Sequence, residues 1–259
     1  MLERGTHHGE KRRVEFGVFN ASMIEKLRAD GILSMVGGGY AVDEHTDIYR
    51  IKHKDLDIFA TVQDVPAILQ AARAIGHTTE VVFPHWLAKI YDHGQTNKFI
   101  DVICATGNGL VQIDSTWYDR APTATIGGQE VRIPPVEEFI AMMASVKNWD
   151  RFYGPDINKI IQAQGKTLDW HRLLNIFGDE DWPILETHLI DFDYIFPSDR
   201  DNIPFWVREE LIRRRIELLQ TPQPAQRESR GRLYSPTEYE HFFDTSTHIP
   251  SRGLIWKRQ

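Results

Sequence analysis

Asp55 and Asp57 stand two residues apart in Lys54-Asp55-Leu56-Asp57-Ile58-Phe59. On a strand, alternate side chains share a face, so the two carboxylates project together, about 6–7 Å apart along the chain, with Leu56 and Ile58 turned to the core. Side-by-side carboxylates repel unless a cation or a proton lies between them. Mg²⁺ suits such a pair, because it takes one or two carboxylates and fills its remaining positions with phosphate oxygens and water. The alternative is that both lie on the solvated face of an edge strand. Upstream, Met35-Val36-Gly37-Gly38-Gly39-Tyr40-Ala41 places glycines between a strand and a helix. There backbone amides approach a phosphate with no Cβ in the way, although a bare glycine turn is the simpler reading.

A third carboxylate, Asp101, sits in Lys98-Phe99-Ile100-Asp101-Val102-Ile103-Cys104, an apolar strand whose face-mates of Asp101 are Phe99 and Ile103. A buried, unpaired carboxylate costs several kcal/mol or becomes neutral. A metal shared with Asp55 and Asp57 would remove that cost, and so would an ion pair to Lys89 or Lys98. Together the aspartates and glycines point to a site for a metal-bound nucleoside triphosphate. Lys147 adds a cation from the second half of the chain. Over a helix expected at 136–149, Val136, Phe139, Ile140, Met143 and Val146 form one stripe, and Lys147 falls inside it. An ammonium there either snorkels to the helix edge or meets an anion such as a triphosphate. Arg50, Lys52 and Lys54 either bind phosphate or form a solvated basic strand end.

These residues need two kinds of scaffold. Up to Pro134-Pro135 the pattern is mixed α and β around one sheet. Helices are expected at 21–30, with Asn20 as N-cap and Gly31 as stop, at 40–46, and from Val65 to Gly76. Strands are expected at 32–36, 56–61, 79–83, 98–104 and 109–114, the last two separated by Thr106-Gly107-Asn108-Gly109. Beyond Pro135 helical periodicity dominates, at 136–149, 156–164, 168–177, 181–195 and 204–220. Trp170, Phe177, Trp182 and Phe192 are expected in that core. The fold class is α+β, divided into a catalytic domain at 1–134, a helical bundle domain at 135–220, and a linker and tail at 221–259.

Composition bounds the function. The chain has 259 residues, is 41% hydrophobic and carries a net charge of −7, which argues against general nucleic-acid binding. No apolar run reaches the roughly 18–20 residues of a membrane span, and the polar start at Met1 to His8 lacks a signal-peptide core. With Cys104 as the single cysteine no internal disulfide forms, and a cytoplasmic location is expected. His45, His85 and His93 lack the helix-borne spacing or cysteine partners of a zinc site, so none is expected. Arg213-Arg214-Arg215 with Glu209, Glu210 and Glu217 forms either a solvated helix face with i,i+4 pairs or an RNA contact.

The conjunction of Gly38-Gly39, Asp55-Leu56-Asp57 and Asp101 resembles the signature of the nucleotidyltransferase superfamily of the DNA polymerase beta type. Gly38-Gly39-Tyr40-Ala41-Val42 with His45, Phe99-Ile100-Asp101-Val102-Ile103, and Ser145-Val146-Lys147 followed by Asp150 to Ile157 resemble uncharacterised bacterial nucleotidyltransferases. Those in turn resemble the toxin components of type IV toxin–antitoxin systems. The resemblance spans about residues 20–215. It implies that Asp55, Asp57 and Asp101 hold Mg²⁺ (or Mn²⁺) on a nucleoside triphosphate such as ATP, and that Gly38, Gly39, Lys54 and Lys147 bind the nucleotide. The implied reaction moves a nucleoside monophosphate to a hydroxyl acceptor (a tRNA end, a small compound such as an aminoglycoside, or a protein side chain), releasing pyrophosphate. An antitoxin partner is also implied. The competing expectation is a non-catalytic protein that keeps the fold and binds nucleotide or a partner.

Overall fold

The computed structural model describes residues 16–50, 52–93, 95–148 and 151–223. The start of the chain, and the linker and tail from 224 onward, lie outside the described residues. Helix α1 (Val18–Ala29) buries Phe19, Met23, Ile24 and Leu27. Asp30 ends it, and Gly31 at φ 67° takes the left-handed position that closes the helix. The amide of Gly31 donates to Arg28 O and that of Ile32 to Leu27 O, which satisfies the last carbonyls. Strand β1 (Met35–Val36) is shorter than the expected 32–36 and runs into α2 (Gly38–Thr46). Then come β2 (Leu56–Phe59), α3 (Val65–Ala74, stopped at Gly76), β3 (Thr78–Phe83), β4 (Leu87–Asp92) and β5 (Gln95–Ile103).

These strands form one mixed sheet in the order β1-β2-β5-β4-β3. Strands β2 and β5 are parallel and every other neighbouring pair is antiparallel. Leu56, Ile58, Ile100, Val102, Ala88 and Ile90 are all 2% exposed or less and share one contiguous apolar cluster with residues of α1 and α3. Strand β4 had no counterpart among the expected strands. The strand expected at 109–114 is instead a return loop that meets the end of β5 through a single bridge, Ala105 to Gln112. Helix α4 (Ser115–Arg120) follows, then the hairpin β6 (Thr123–Ile126) and β7 (Gln129–Arg132) around Gly127-Gly128.

Helix α5 (Val136–Ala144) begins at Pro135 but ends five residues before the expected 149. The side chain of Asn108 donates to Ser145 O at 2.6 Å, taking the carbonyl that a longer helix would offer to residue 149. The chain then forms a tight hairpin, β8 (Lys147–Asn148) with β9 (Arg151–Phe152). Helices α6 (Gly154–Gln164), α7 (Trp170–Ile195) and α8 (Phe205–Gln220) complete the described chain. Helix α7 breaks at Gly178, φ 62°, where two separate helices were expected. Trp170, Phe177, Trp182 and Phe192 are buried, as expected. The architecture is therefore α+β, a mixed sheet followed by packed helices. The core cluster runs unbroken from α1 to Leu211 of α8, across the prolines at 134–135.

Candidate functional site

One transverse row across the sheet carries the charged groups. The amide of Gly37 donates to Asp57 O at 2.9 Å. Asp57 lies opposite Asp101, Asp101 opposite Lys89, and Lys89 opposite Glu80. Residues directly opposite in neighbouring strands share a face. Parallel pairing of β2 with β5 therefore brings together carboxylates that are 44 positions apart in the chain (101 − 57). Asp55 joins from the residue before β2, and its charge acts on both Asp57 and Asp101.

The electrostatics are those of a site short of positive charge. Asp57 is pushed up to about 7, first by burial and then by the charges of Asp55 and Asp101. Asp101 is also raised by burial, against the pull of Lys89, whose ammonium lies 2.5 Å from Asp101 Oδ1. The Lys89 ammonium also sits 3.7 Å from the centroid of the Phe99 ring. Lys98, the other cation considered for Asp101, pairs with Asp92 instead. The three aspartates do not close as a set to within 4.8 Å. Like charges in one face stay apart without a cation between them, and Asp101 is drawn towards Lys89. An all-oxygen donor set with one carboxyl pushed up to about 7 fits a hard divalent cation, which favours the ionised form of each carboxyl.

The glycine turn is built against this row. Gly38 has φ 56°, and a Cβ there would stand 1.7 Å from Asp57 Oδ2, so any side chain would displace the carboxylate. A Cβ on Gly39 would meet Arg50 Nη1 at 2.4 Å and His53 Nδ1 at 2.8 Å. The first turn of α2 thus lies between Asp57 and a guanidinium. Buried Asp43 fixes that second side, accepting the Arg50 amide at 2.8 Å and meeting His53 Nε2 at 2.9 Å. The Arg50 guanidinium also reaches Asp156 of α6 at 2.5 Å. The His53 ring stacks on Tyr40 at 3.8 Å, and burial lowers its basicity despite Asp43.

The cation expected from the helical region is placed differently. Lys147 is on β8, not on the apolar stripe of α5, because α5 stops at Ala144. Its ammonium binds Thr187 Oγ1 on α7, and burial lowers its pKa. Arg151, across the same hairpin, acts on Asp57 and Asp101, pulling both back towards ionisation. Sequence reasoning missed Arg151. The available signal was its position just after Ser145-Val146-Lys147, but only the hairpin turns it towards the sheet. Lys54 is exposed, with its ammonium 5.9 Å from the centroid of the Phe99 ring that also faces Lys89.

His45 and the arginine run of α8 serve structure. His45 Nε2 meets Pro134 O at 2.9 Å and its carbonyl accepts from Gln164. Arg213 pairs with Glu210 and Glu217, Arg214 with Glu210, and Arg215 with Glu186. That is a laced helix face tied to α7 twice, by Arg215 to Glu186 and by Arg214 donating to Gly178 O at 3.0 Å.

No protein-family model matches the chain, and no curated protein matches it. Among solved structures it is similar to the lincosamide antibiotic adenylyltransferase LnuA with lincomycin bound: 14% identity, 55% of this chain and 94% of that one, TM-score 0.40. It is similar to the antibiotic-resistance factor ANT(2'')-Ia at 17% identity over 70% and 92% of the chains, TM-score 0.39. A nucleotidyltransferase-like protein from Paracoccidioides brasiliensis gives 16%, 70% and 88%, with a TM-score of 0.45. These neighbours are nucleotidyltransferases or resemble them. Each superposes on only part of this fold, so the chemistry has to be read from the residues themselves. Among the described residues no helix is long and apolar enough to cross a membrane.

Proposed function

We propose that the protein transfers a nucleoside monophosphate from a nucleoside triphosphate to a hydroxyl acceptor, with Mg²⁺ or Mn²⁺ held by Asp55, Asp57 and Asp101. The observation that carries this reading is the glycine-started helix packed directly on Asp57, with Asp101 opposite in the next strand. When bound, the divalent cation neutralises charge on the triphosphate and lowers the pKa of the acceptor hydroxyl. The amides of Gly38 and Gly39 orient phosphate oxygens, favoured by the positive end of α2. Arg151 and Lys54 supply positive charge at the rim, and Lys147 does so on leaving Thr187. The acceptor oxygen forms a bond to the α-phosphorus, the bond to the bridging oxygen breaks, and pyrophosphate leaves. Lys89 holds Asp101 Oδ1, leaving Oδ2 to accept the hydroxyl proton. The segment 1–134 is the catalytic lobe, and 135–220 supplies cations from the facing side.

Lys89 is also the observation that favours a second reading. An internal ammonium on the third carboxylate suits a protein that binds nucleotide without turning it over. ATP, GTP, CTP and UTP would be titrated into wild-type protein and into Asp55→Ala/Asp57→Ala, with and without Mg²⁺. Pyrophosphate release would be followed with pooled tRNA and, separately, with small hydroxyl compounds. Mg²⁺-dependent release that the double variant loses is the expected outcome. Metal-dependent binding without release supports the binder, and no effect of nucleotide or metal removes the site as described.

A further inference from the structure

A second cluster lies where β4 ends, three positions beyond Lys89. His77, just before β3, Asp92, at the end of β4, and His93, in the turn before β5, offer three ligand atoms that all lie within 4.8 Å of one another. His77 Nδ1 and His93 Nε2 each stand 3.8 Å from the same atom, Asp92 Oδ1. That separation is too long for a hydrogen bond. It is slightly wider than the roughly 3.3 Å edge of a tetrahedron with bonds of about 2.0–2.1 Å to nitrogen and oxygen.

Three further observations make this more than a chance meeting. His77 Nδ1 is buried and has no hydrogen-bond partner among the described residues, a cost that native interiors rarely leave uncompensated. Asp92 divides its oxygens: Oδ2 receives the Lys98 ammonium at 2.5 Å, while Oδ1 faces both imidazoles. A ligating carboxylate anchored through its other oxygen is the usual way such a group is oriented. His93 adopts φ 46°, a left-handed conformation that costs a non-glycine residue energy. Its ring lies 4.9 Å from that of His77, and Phe19 of α1 closes the far side of His77 edge-on at 4.7 Å.

We infer that His77 Nδ1, Asp92 Oδ1 and His93 Nε2 form a site for a divalent transition metal, zinc or a close relative, with water in the fourth position. Two imidazoles and one carboxylate suit Zn²⁺ and its neighbours rather than Mg²⁺, which favours oxygen donors. His93 is the exposed member at 66% of its side chain, so its ring supplies the small closing movement. The site would staple the entry of β3 to the turn between β4 and β5. It is separate from the aspartate row and does not depend on the reading of that row.

The test uses the full chain after chelation, with Zn²⁺ titrated calorimetrically in excess Mg²⁺ and Co²⁺ followed by its visible absorption. His7 and His8 offer another place for the metal, so His7→Ala/His8→Ala is titrated alongside. The expected result is one equivalent of Zn²⁺, a tetrahedral Co²⁺ spectrum and a raised melting temperature. His93→Ala, an exposed change that the fold tolerates, and Asp92→Asn should each weaken binding at least tenfold, while the His7/His8 variant keeps it. Binding that survives in His93→Ala, or that is lost with His7 and His8, overturns the proposal. So does the absence of binding in the wild type.

Discussion

At the scale of single residues, Asp57 is where the proposed function would compete with stability. Its carboxyl titrates at about 7 in the folded protein, above an ordinary value of 3.8. A raised carboxyl binds its proton more tightly in the folded state. It therefore contributes stability below the unfolded value, and that contribution disappears as pH rises through about 7. Asp57→Asn should raise the melting temperature of the metal-free protein at pH 8, by a stability on the order of a few kcal/mol, and leave it nearly unchanged at pH 4. Thermal melts in a chelator across pH 4–8 check this. Mg²⁺ should stabilise the wild type at pH 8 and leave Asp57→Asn unmoved. Gly38 belongs to the same balance, since its missing Cβ gives the Asp57 carboxylate its room.

At the scale of elements, the β8–β9 hairpin docks on α7. Lys147 bonds to Thr187, and the Phe152 ring stacks on His188 with 5.8 Å between centroids. His188 is buried, and burial followed by the Lys147 charge brings its pKa down to about 4 from 6.5. A depressed imidazole favours the fold only while neutral, so its contribution is present above 6.5 and is lost as pH falls towards 4. His188→Leu should flatten the acid limb of the stability curve between those values, measured by denaturant midpoints at pH 4.5 and 7. It should leave the curve above pH 7 within about 1 kcal/mol, since the two side chains are close in volume. Lys147 shows why this hairpin was missed from the sequence. The apolar stripe at 100° per residue continues through Val146, yet the helix stops at Ala144, and Asn108, 37 positions earlier, holds the Ser145 carbonyl.

At the scale of the whole molecule, Glu138 ties the sheet half to the helices. It is buried, on α5, and accepts ion pairs from Arg120 of α4 and Arg172 of α7. Glu138→Ala should cost roughly 1–3 kcal/mol, the range for charge-assisted bonds, tempered because both guanidiniums reach solvent. Denaturant unfolding followed by tryptophan fluorescence and by far-ultraviolet dichroism should show one shifted, coincident transition. Two separated transitions would mean that the halves unfold independently, despite the continuous apolar cluster.

Local pattern was enough for the α+β class, the helices α1, α3, α6 and α8, the break in α7 and the strand positions of Asp57 and Asp101, with Asp55 just ahead of its strand. Periodicity, glycine stops and alternating burial are properties of neighbours in the chain, and they survive without knowledge of the fold. The order β1-β2-β5-β4-β3 was beyond such reasoning, and so were the choice of Lys89 rather than Lys98 for Asp101 and the approach of Arg151. So was the meeting of His77 with Asp92 and His93, whose spacing matches no helical or strand period. Each depends on which strands pair and in what register, and pairing is decided by burying one apolar face of the whole sheet at once. The types of the candidate groups were thus written in the sequence, while their partners, and hence their charge states, were decided only by the tertiary structure.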